Sequence, residues 1–81
     1  MPWLVIETPD GATQQVELGA QPLLVGWNDD MDMRIADPKV SARHLCIRPL
    51  GEGEGWVVRD LGSIRGTLQN GRRILRAEAQ L

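Results

Sequence analysis

The chain has 81 residues, of which 42% are apolar, 25% are charged and 4% are aromatic, and every aromatic residue is a tryptophan. This length allows one small domain with a thin core, and it excludes several domains or a large enzymatic cleft. No apolar run reaches the roughly 20 residues that a membrane-spanning helix needs, and the first residues do not resemble a signal peptide. We therefore expect a single domain over residues 1–81, located in the cytoplasm.

The charged residues are divided unevenly along the chain. Residues 1–33 contain six acidic residues and no lysine or arginine, whereas residues 34–81 contain all nine basic residues and five acidic ones. The formal net charge of -2 argues against nucleic-acid binding, which needs a basic face that displaces counterions from phosphates. The uneven distribution indicates either two solvated faces or an anion-binding patch in the second part of the chain.

The sequence offers no set of side chains for catalysis or for a metal. Cys46 is the only cysteine and His44 the only histidine, so neither an internal disulfide nor a Cys/His metal site is expected. His44 has no recognisable catalytic partner and is better explained as a structural imidazole. The lone thiol favours a reducing compartment. We therefore predict that the protein is not an enzyme and holds no metal or cofactor.

Short apolar runs rich in β-forming residues alternate with turn residues along the chain. The runs are Trp3–Ile6, Leu23–Val25, Leu45–Ile47 and Trp56–Val58. Val16 and Leu18 alternate with polar residues, as in a strand with one buried face. Clusters of Gly, Pro, Asn and Asp separate the runs roughly every ten residues, which predicts an all-β antiparallel sandwich or barrel.

The dipeptide Asn70–Gly71 carries the clearest local signal. It lies between residues 67–69 and 72–74, and such a dipeptide supplies the two residues with positive φ that a tight hairpin turn requires. Residues 76–81 are too few to form a stable helix without a partner face. We therefore predict a hairpin around residues 70–71 and an irregular tail.

Several blocks of the sequence resemble the motifs of the forkhead-associated (FHA) domain family. The blocks are VGW at 25–27, DMRI at 32–35, DPKVSARH at 37–44, WVVRDLGSIRGT at 56–67 and NG at 70–71. The resemblance covers residues 3–76, nearly the whole chain. It implies a twisted antiparallel β-sandwich, and it implies that loops at one end of the sandwich bind a phosphothreonine in an extended peptide of a partner protein.

The sequence departs from the family pattern at the positions that hold the phosphopeptide. Trp27 stands where the family has a phosphate-binding arginine, and Ala42 stands where it usually has Arg, Lys or Asn. Ile64 and Arg65 replace a Thr or Ser and the Asn that holds the peptide backbone. Of the direct phosphate ligands only Ser41 remains, and one neutral hydroxyl contributes little. These departures imply a scaffold or assembly module with weakened or lost phosphothreonine recognition.

The alternative is a phosphothreonine-binding signalling domain with a rearranged anion site. Arg34, Lys39, Arg43 and Arg65 fall on or near the binding loops, and Arg65 would restore charge in the space beside position 27. Trp27 either contacts a partner without phosphate or covers the core. The candidate binding residues are Ser41, Arg43, Arg65, Trp27 and Thr67. The residues to which the resemblance assigns a structural role are Gly26, His44, Asp60, Gly62, Gly66, Asn70 and Gly71.

The resemblance also predicts an unpaired strand edge. The family continues after the region of Ile74 through a final hairpin that returns beside the first strand, whereas this chain ends at Leu81. We therefore expect that the domain lacks its last hairpin here and that Trp3–Ile6 exposes unpaired backbone groups. Either the chain is a piece of a longer protein, or a neighbouring chain or a second copy supplies the strand.

Overall fold

The computed structural model describes residues 3–51 and 53–81, and every regular element in this part of the chain is a β-strand. The strands are β1 (Trp3–Glu7), β2 (Thr13–Glu17), β3 (Leu23–Gly26), β4 (Met33–Arg34), β5 (Leu45–Pro49), β6 (Trp56–Asp60), β7 (Thr67–Gln69), β8 (Arg72–Ile74) and β9 (Glu78–Gln80). The predicted all-β class is confirmed. The described ranges contain no helix able to cross a membrane.

The strands form one large sheet and two hairpins. The large sheet has five strands in the order β4–β3–β5–β6–β9, while β1–β2 and β7–β8 form separate two-stranded sheets. Its pairs are antiparallel except β3–β4, which is parallel and pairs Val25 with Met33 and Gly26 with Arg34. The sequence does not predict β4, because two residues are too short to show an alternating pattern.

The core lies between the five-stranded sheet and the two hairpins. Its buried residues are Leu18, Ile47, Val58 and Ile74. Half-buried apolar residues packed on them are Leu4, Ile6, Leu23, Leu45, Trp56 and Ala79. Along β1, Trp3 and Val5 alternate with the core positions Leu4 and Ile6 and are exposed, as the alternation of a half-buried strand requires. Because residues of both hairpins and of the large sheet share one core, the layers form a β-sandwich.

The turn at Asn70–Gly71 joins β7 to β8. Asn70 has φ 50° and Gly71 has φ 83°, and Gln69 lies opposite Arg72 across the turn. Two successive residues with positive φ are the backbone of the tight turn that the dipeptide favours. The hairpin prediction is confirmed.

The prediction of an irregular tail is wrong, because β9 adds a fifth strand to the large sheet. Ala79 lies opposite Val58 of β6 and packs on the core. The Glu78 carboxylate lies 3.2 Å from Arg48 Nη2 on β5 and 3.4 Å from Arg59 Nη1 on β6, so ion pairs to both strands accompany the backbone pairing with β6. Pairing with a strand already in place, rather than local propensity, makes this segment extended.

The first strand is paired on one side. It pairs with β2 from Trp3 opposite Glu17 to Glu7 opposite Thr13. Among the residues that the structure describes, no strand pairs with the other edge of β1. The completion of this edge by a further strand or a second copy stays a prediction, as does the incompleteness of the domain in this chain.

Candidate functional site

Three loops meet at one end of the five-stranded sheet. They follow β3, precede β5 and follow β6. Val25, Leu45 and Asp60 lie side by side across these strands, because Val25 is opposite Leu45 and Leu45 is opposite Asp60. The register therefore brings together the loops of residues 27–32, 35–44 and 61–66, which we call the binding loops.

Two hydrogen bonds join the first two binding loops through their backbones. Trp27 N–H donates to Ser41 O at 3.0 Å, and Asn28 N–H donates to Ala42 O at 3.1 Å. A Cβ atom built on Gly26 would lie 2.3 Å from Ala42 O, which is closer than real side chains come. Gly26 is therefore needed for the close approach of the two loops.

The imidazole of His44 joins the second and third binding loops. Ser41 N–H donates to His44 Nδ1 at 3.1 Å, and His44 Nε2 lies 2.8 Å from Gly66 O. Because Nδ1 accepts, the ring hydrogen is on Nε2, which donates to the carbonyl oxygen. His44 is buried, and both of its nitrogens are used inside the fold. Its role in this structure is to hold the loops.

The carboxylate of Asp60, at the end of β6, holds the third binding loop in place. It accepts hydrogen bonds from Gly62 N, Ser63 N, Ser63 Oγ, Thr67 Oγ1 and Arg76 N. Burial by itself raises the pKa of Asp60, but the hydrogen bonds from Ser63, Arg76 and Thr67 outweigh burial and lower the pKa to about 2. The candidate binding residue Thr67 is half-buried and directs its hydroxyl hydrogen into this network, away from a ligand.

Gly66 closes the same loop. It has φ 79° and donates its N–H to Ser63 Oγ at 2.8 Å. A Cβ atom here would lie 2.9 Å from Arg73 Nε and 3.1 Å from Ile74 O. Both the positive φ and the lack of space exclude a β-branched side chain.

Ser41 lies at the junction of the binding loops with its hydroxyl available to a ligand. Ile64 N–H donates to Ser41 Oγ at 3.1 Å, so the oxygen is an acceptor within the fold. Within the described residues the hydroxyl hydrogen reaches no acceptor. Ser41 is half-buried. The geometry fixes the oxygen and leaves the hydrogen free to donate to an oxygen atom of a partner.

Trp27 lies at the surface with a cation on its ring. Its side chain is 44% exposed, which argues against the alternative that the indole covers the core. The guanidinium carbon of Arg34 lies 5.0 Å from the ring centroid. Arg34 Nε donates to Trp27 O at 2.9 Å and lies 3.0 Å from Asp29 Oδ1. Arg34 is therefore a cation beside Trp27, and the expectation that Arg65 restores charge in this space stays a prediction.

Arg43 and Arg65 lie on the second and third binding loops. Both are exposed, and neither forms an ion pair in the part of the chain that the structure describes. The carbonyl oxygen of Arg65 accepts a hydrogen bond from Arg73, which steadies the loop backbone. Between Ser41 and Arg65, Ile64 is 89% exposed. The second and third binding loops thus carry both cationic and apolar side chains that are exposed.

The site shows no reactive group. Cys46 is the second residue of β5 and is half-buried, and burial raises the pKa of its thiol more than nearby Arg48 lowers it. A thiol with a raised pKa is a poor nucleophile. Within the described ranges no group of three or more His, Cys, Asp or Glu side chains is placed to hold a metal ion. The binding loops offer hydrogen bonds, charge and apolar surface.

Sequence comparisons relate the chain to one family. The family model of the FHA domain matches residues 23–81. The chain is 39% identical over 64 residues to the FHA domain-containing protein FhaB of Mycolicibacterium smegmatis, which covers 79% of this chain and 40% of that protein. FhaB of Mycobacterium tuberculosis is 38% identical over 53 residues, or 65% of this chain and 33% of that protein. The chain thus spans less than half the length of either relative.

Solved structures share the sandwich. The FHA domain of FhaA, complexed with the intracellular domain of Rv3910, has a TM-score of 0.70 and 33% identity over 90% of this chain and 76% of that chain. A second solved chain was studied for phosphothreonine-dependent FHA domain interactions. It has a TM-score of 0.67 and 32% identity, and the match covers 98% of this chain and 75% of that one. FHA domains are non-enzymatic interaction modules that depend on phosphothreonine. The sequence match and the shared sandwich show that this chain belongs to the FHA domain family.

Proposed function

We propose that this chain is a non-enzymatic scaffold or assembly module that binds a partner protein with little or no contribution from phosphothreonine. The observation that carries the proposal is Trp27. Trp27 stands where the family pattern has a phosphate-binding arginine, and it is 44% exposed. Its backbone N–H donates to Ser41 O, which holds the residue beside the remaining ligand. A neutral, amphipathic side chain occupies the position of the main cationic ligand.

The remaining ligand is too weak to replace the missing one. A hydrogen bond from the neutral Ser41 hydroxyl contributes about 0.5–1.5 kcal/mol, or up to about 3 kcal/mol when its partner is charged. A bidentate arginine contact to phosphate is roughly twice as strong as a neutral hydrogen bond and adds geometric specificity. Ala42 supplies no side-chain donor. The affinity for a phosphate group at this site is therefore low.

Apolar side chains on both sides of Ser41 favour a protein partner. Trp27 N–H donates to Ser41 O and Ile64 N–H donates to Ser41 Oγ, so both exposed side chains are anchored to the same residue. Exposed tryptophan beside other apolar groups is typical of protein contact sites. A reducing compartment such as the cytoplasm, which suits the lone thiol of Cys46, is part of the same proposal.

The second candidate function is phosphothreonine binding through Ser41, Arg43 and Arg65. It is favoured by the free hydroxyl hydrogen of Ser41 and by the two exposed arginines, which have no ion pair among the residues described. Exposed charges would then supply most of the attraction. Binding of this kind falls steeply as salt rises, because exposed charges are screened.

Titration of the domain against a degenerate phosphothreonine peptide library separates the two candidates. The controls are the unphosphorylated library, a salt series and the variant Arg72→Ala, which removes an exposed arginine on β8 outside the binding loops. The proposed function predicts that the phosphorylated and unphosphorylated libraries bind within about fivefold of each other, the size of one exposed charge contact, or that neither binds. Binding that requires phosphate, and that is lost in Ser41→Ala and Arg65→Ala but kept in Arg72→Ala, would establish the second candidate.

A further inference from the structure

Arg34 is the most firmly held of the arginines beside the binding loops. Its guanidinium stacks on the Trp27 ring at 5.0 Å, its Nε donates to Trp27 O at 2.9 Å, and the Asp29 carboxylate lies 3.0 Å from the same nitrogen. The parallel pairing of β3 with β4 places Arg34 opposite Gly26, directly before Trp27. The side chain is thus oriented before any partner arrives.

One edge of this guanidinium is open. The hydrogen bond of Arg34 and its shortest ion-pair distance both involve Nε, and neither Nη group donates a hydrogen bond to an acceptor within residues 3–51 and 53–81. The side chain is 41% exposed. A pair of free N–H groups in a planar fork matches the two oxygens of a carboxylate or a phosphate. The open edge is therefore suited to an oxyanion.

Asp29 limits the charge that this edge offers. Its side chain is 95% exposed, and its contact with Arg34 is an exposed ion pair, which contributes little to stability. The carboxylate nevertheless offsets the positive charge that an incoming anion would meet. Trp27 lies between the Arg34–Asp29 ion pair and Ser41. Its carbonyl oxygen accepts a hydrogen bond from Arg34 Nε, and its N–H donates to Ser41 O.

We propose that the Nη edge of Arg34, supported by the Trp27 ring, binds an oxyanion on the partner segment, and that Asp29 competes with this anion from within the chain. The inference deepens the proposed function and rests on it. A single arginine fork accepts a carboxylate as well as a phosphate, so an Asp or Glu side chain of the partner satisfies the site. The charge of the partner, and not phosphorylation, is then what the loops recognise.

Fluorescence anisotropy with one degenerate peptide library in three forms tests the assignment. The fixed central residue is phosphothreonine, aspartate or threonine. The proteins are wild type, Arg34→Gln, Asp29→Asn and the matched control Asp30→Asn. Asp30 is an exposed acid of the same loop and makes no hydrogen bond or ion pair among the described residues. Its substitution changes the net charge as Asp29→Asn does.

We expect Asp29→Asn to tighten binding of the two anionic libraries about twofold to fivefold, which is the size of one exposed charge pair. Arg34→Gln should weaken binding by a similar factor, and Asp30→Asn should change it little at physiological salt. Binding of the threonine library should not respond to any of them. Arg34→Lys keeps the charge but lacks the planar fork. It should therefore recover only part of the affinity that Arg34→Gln loses.

Equal effects of Asp29→Asn and Asp30→Asn, unchanged binding in Arg34→Gln, or no anion-dependent binding by any protein would each overturn the role of Arg34. The proposed function has a separate test in the same data. If wild type prefers the phosphothreonine library to the aspartate library by tenfold or more, phosphate independence is wrong, whether or not the Arg34 and Asp29 variants behave as expected.

Discussion

His44 Nε2 lies 2.8 Å from the carbonyl oxygen of Gly66, and this hydrogen bond spans from the loop before β5 to the loop after β6. On its other side the same ring accepts the N–H of Ser41. One imidazole therefore separates the Ser41 N–H from the Gly66 carbonyl, while Ile64 N–H donates directly to the Ser41 hydroxyl. A ligand of Ser41 meets Ile64 and Arg65 at a fixed separation.

Replacement of this ring should destabilise the domain. His44→Ala leaves the half-buried Ser41 N–H and Gly66 carbonyl without their partners. Because water can reach half-buried groups, the two together should cost about 1–3 kcal/mol, the range for one fully buried unsatisfied group. We expect a loss in this range in the free energy of unfolding, measured by urea denaturation. Arg43→Ala, on the exposed neighbouring residue, is the control and should change stability little. Equal effects of the two substitutions would contradict the bridging role of His44.

The close approach at Gly26 gives a second stability prediction. Gly26→Ala places a Cβ atom against Ala42 O and forces the first two binding loops apart, and strain of this kind typically costs about 1–3 kcal/mol. The melting temperature should fall accordingly. Gly19→Ala is the matched control, because a Cβ atom there would meet no atom within 4 Å. Equal melting temperatures of Gly26→Ala and Gly19→Ala would refute the close contact between Gly26 and Ala42.

Acid should weaken the domain through Asp60. Its pKa is about 2 in the fold against an ordinary value of 3.8, so the unfolded chain binds the proton more tightly. The carboxylate therefore contributes about 2 kcal/mol above about pH 4, and this contribution is lost as the pH falls through about 2. Urea denaturation at several pH values measures it. Ser63→Ala removes one hydrogen-bond donor and should flatten the dependence, and an unchanged pH profile in this variant would speak against the assignment.

Restoring the family's ligands should create phosphothreonine binding. The four substitutions are Trp27→Arg, Ala42→Arg, Ile64→Thr and Arg65→Asn. All four side chains are exposed, so the core is not disturbed. The variant should prefer the phosphothreonine library to the unphosphorylated one by about tenfold or more, a preference that wild type lacks, and adding Ser41→Ala should weaken this preference again. A folded variant that gains no binding would show that the residues are assigned to the wrong contacts.

Local chemistry explains which parts of the fold the sequence predicts. The turn at Asn70–Gly71 follows from the φ angles that this dipeptide favours, and β1 follows from the alternation of Leu4 and Ile6 with exposed residues. By contrast, β9 has a single apolar residue, Ala79, and becomes a strand because β6 offers an edge for pairing. A strand with one apolar residue shows no alternation in its own sequence, so only its pairing reveals it.

The same distinction holds at the site. The motif around Ser41 and His44 predicted where the binding loops lie, because short spacings determine local loop geometry. The stacking of Arg34 on Trp27 was not predicted. It depends on the parallel pairing of two-residue β4 with β3, which brings together residues seven positions apart. The stacked cation thus lies on β4, a strand that the sequence does not predict.

The Asp60 carboxylate also couples two segments that are distant in sequence. It accepts the N–H groups of Gly62 and Ser63 in the third binding loop and that of Arg76 just before β9, while Asp60 N–H donates to Ala77 O. Fraying of the last strand therefore releases the same acceptor that shapes the loop. The amide protons of the third binding loop and of β9 should therefore exchange with solvent as one cooperative unit. A partner that binds the loop would then slow exchange in β9 as well.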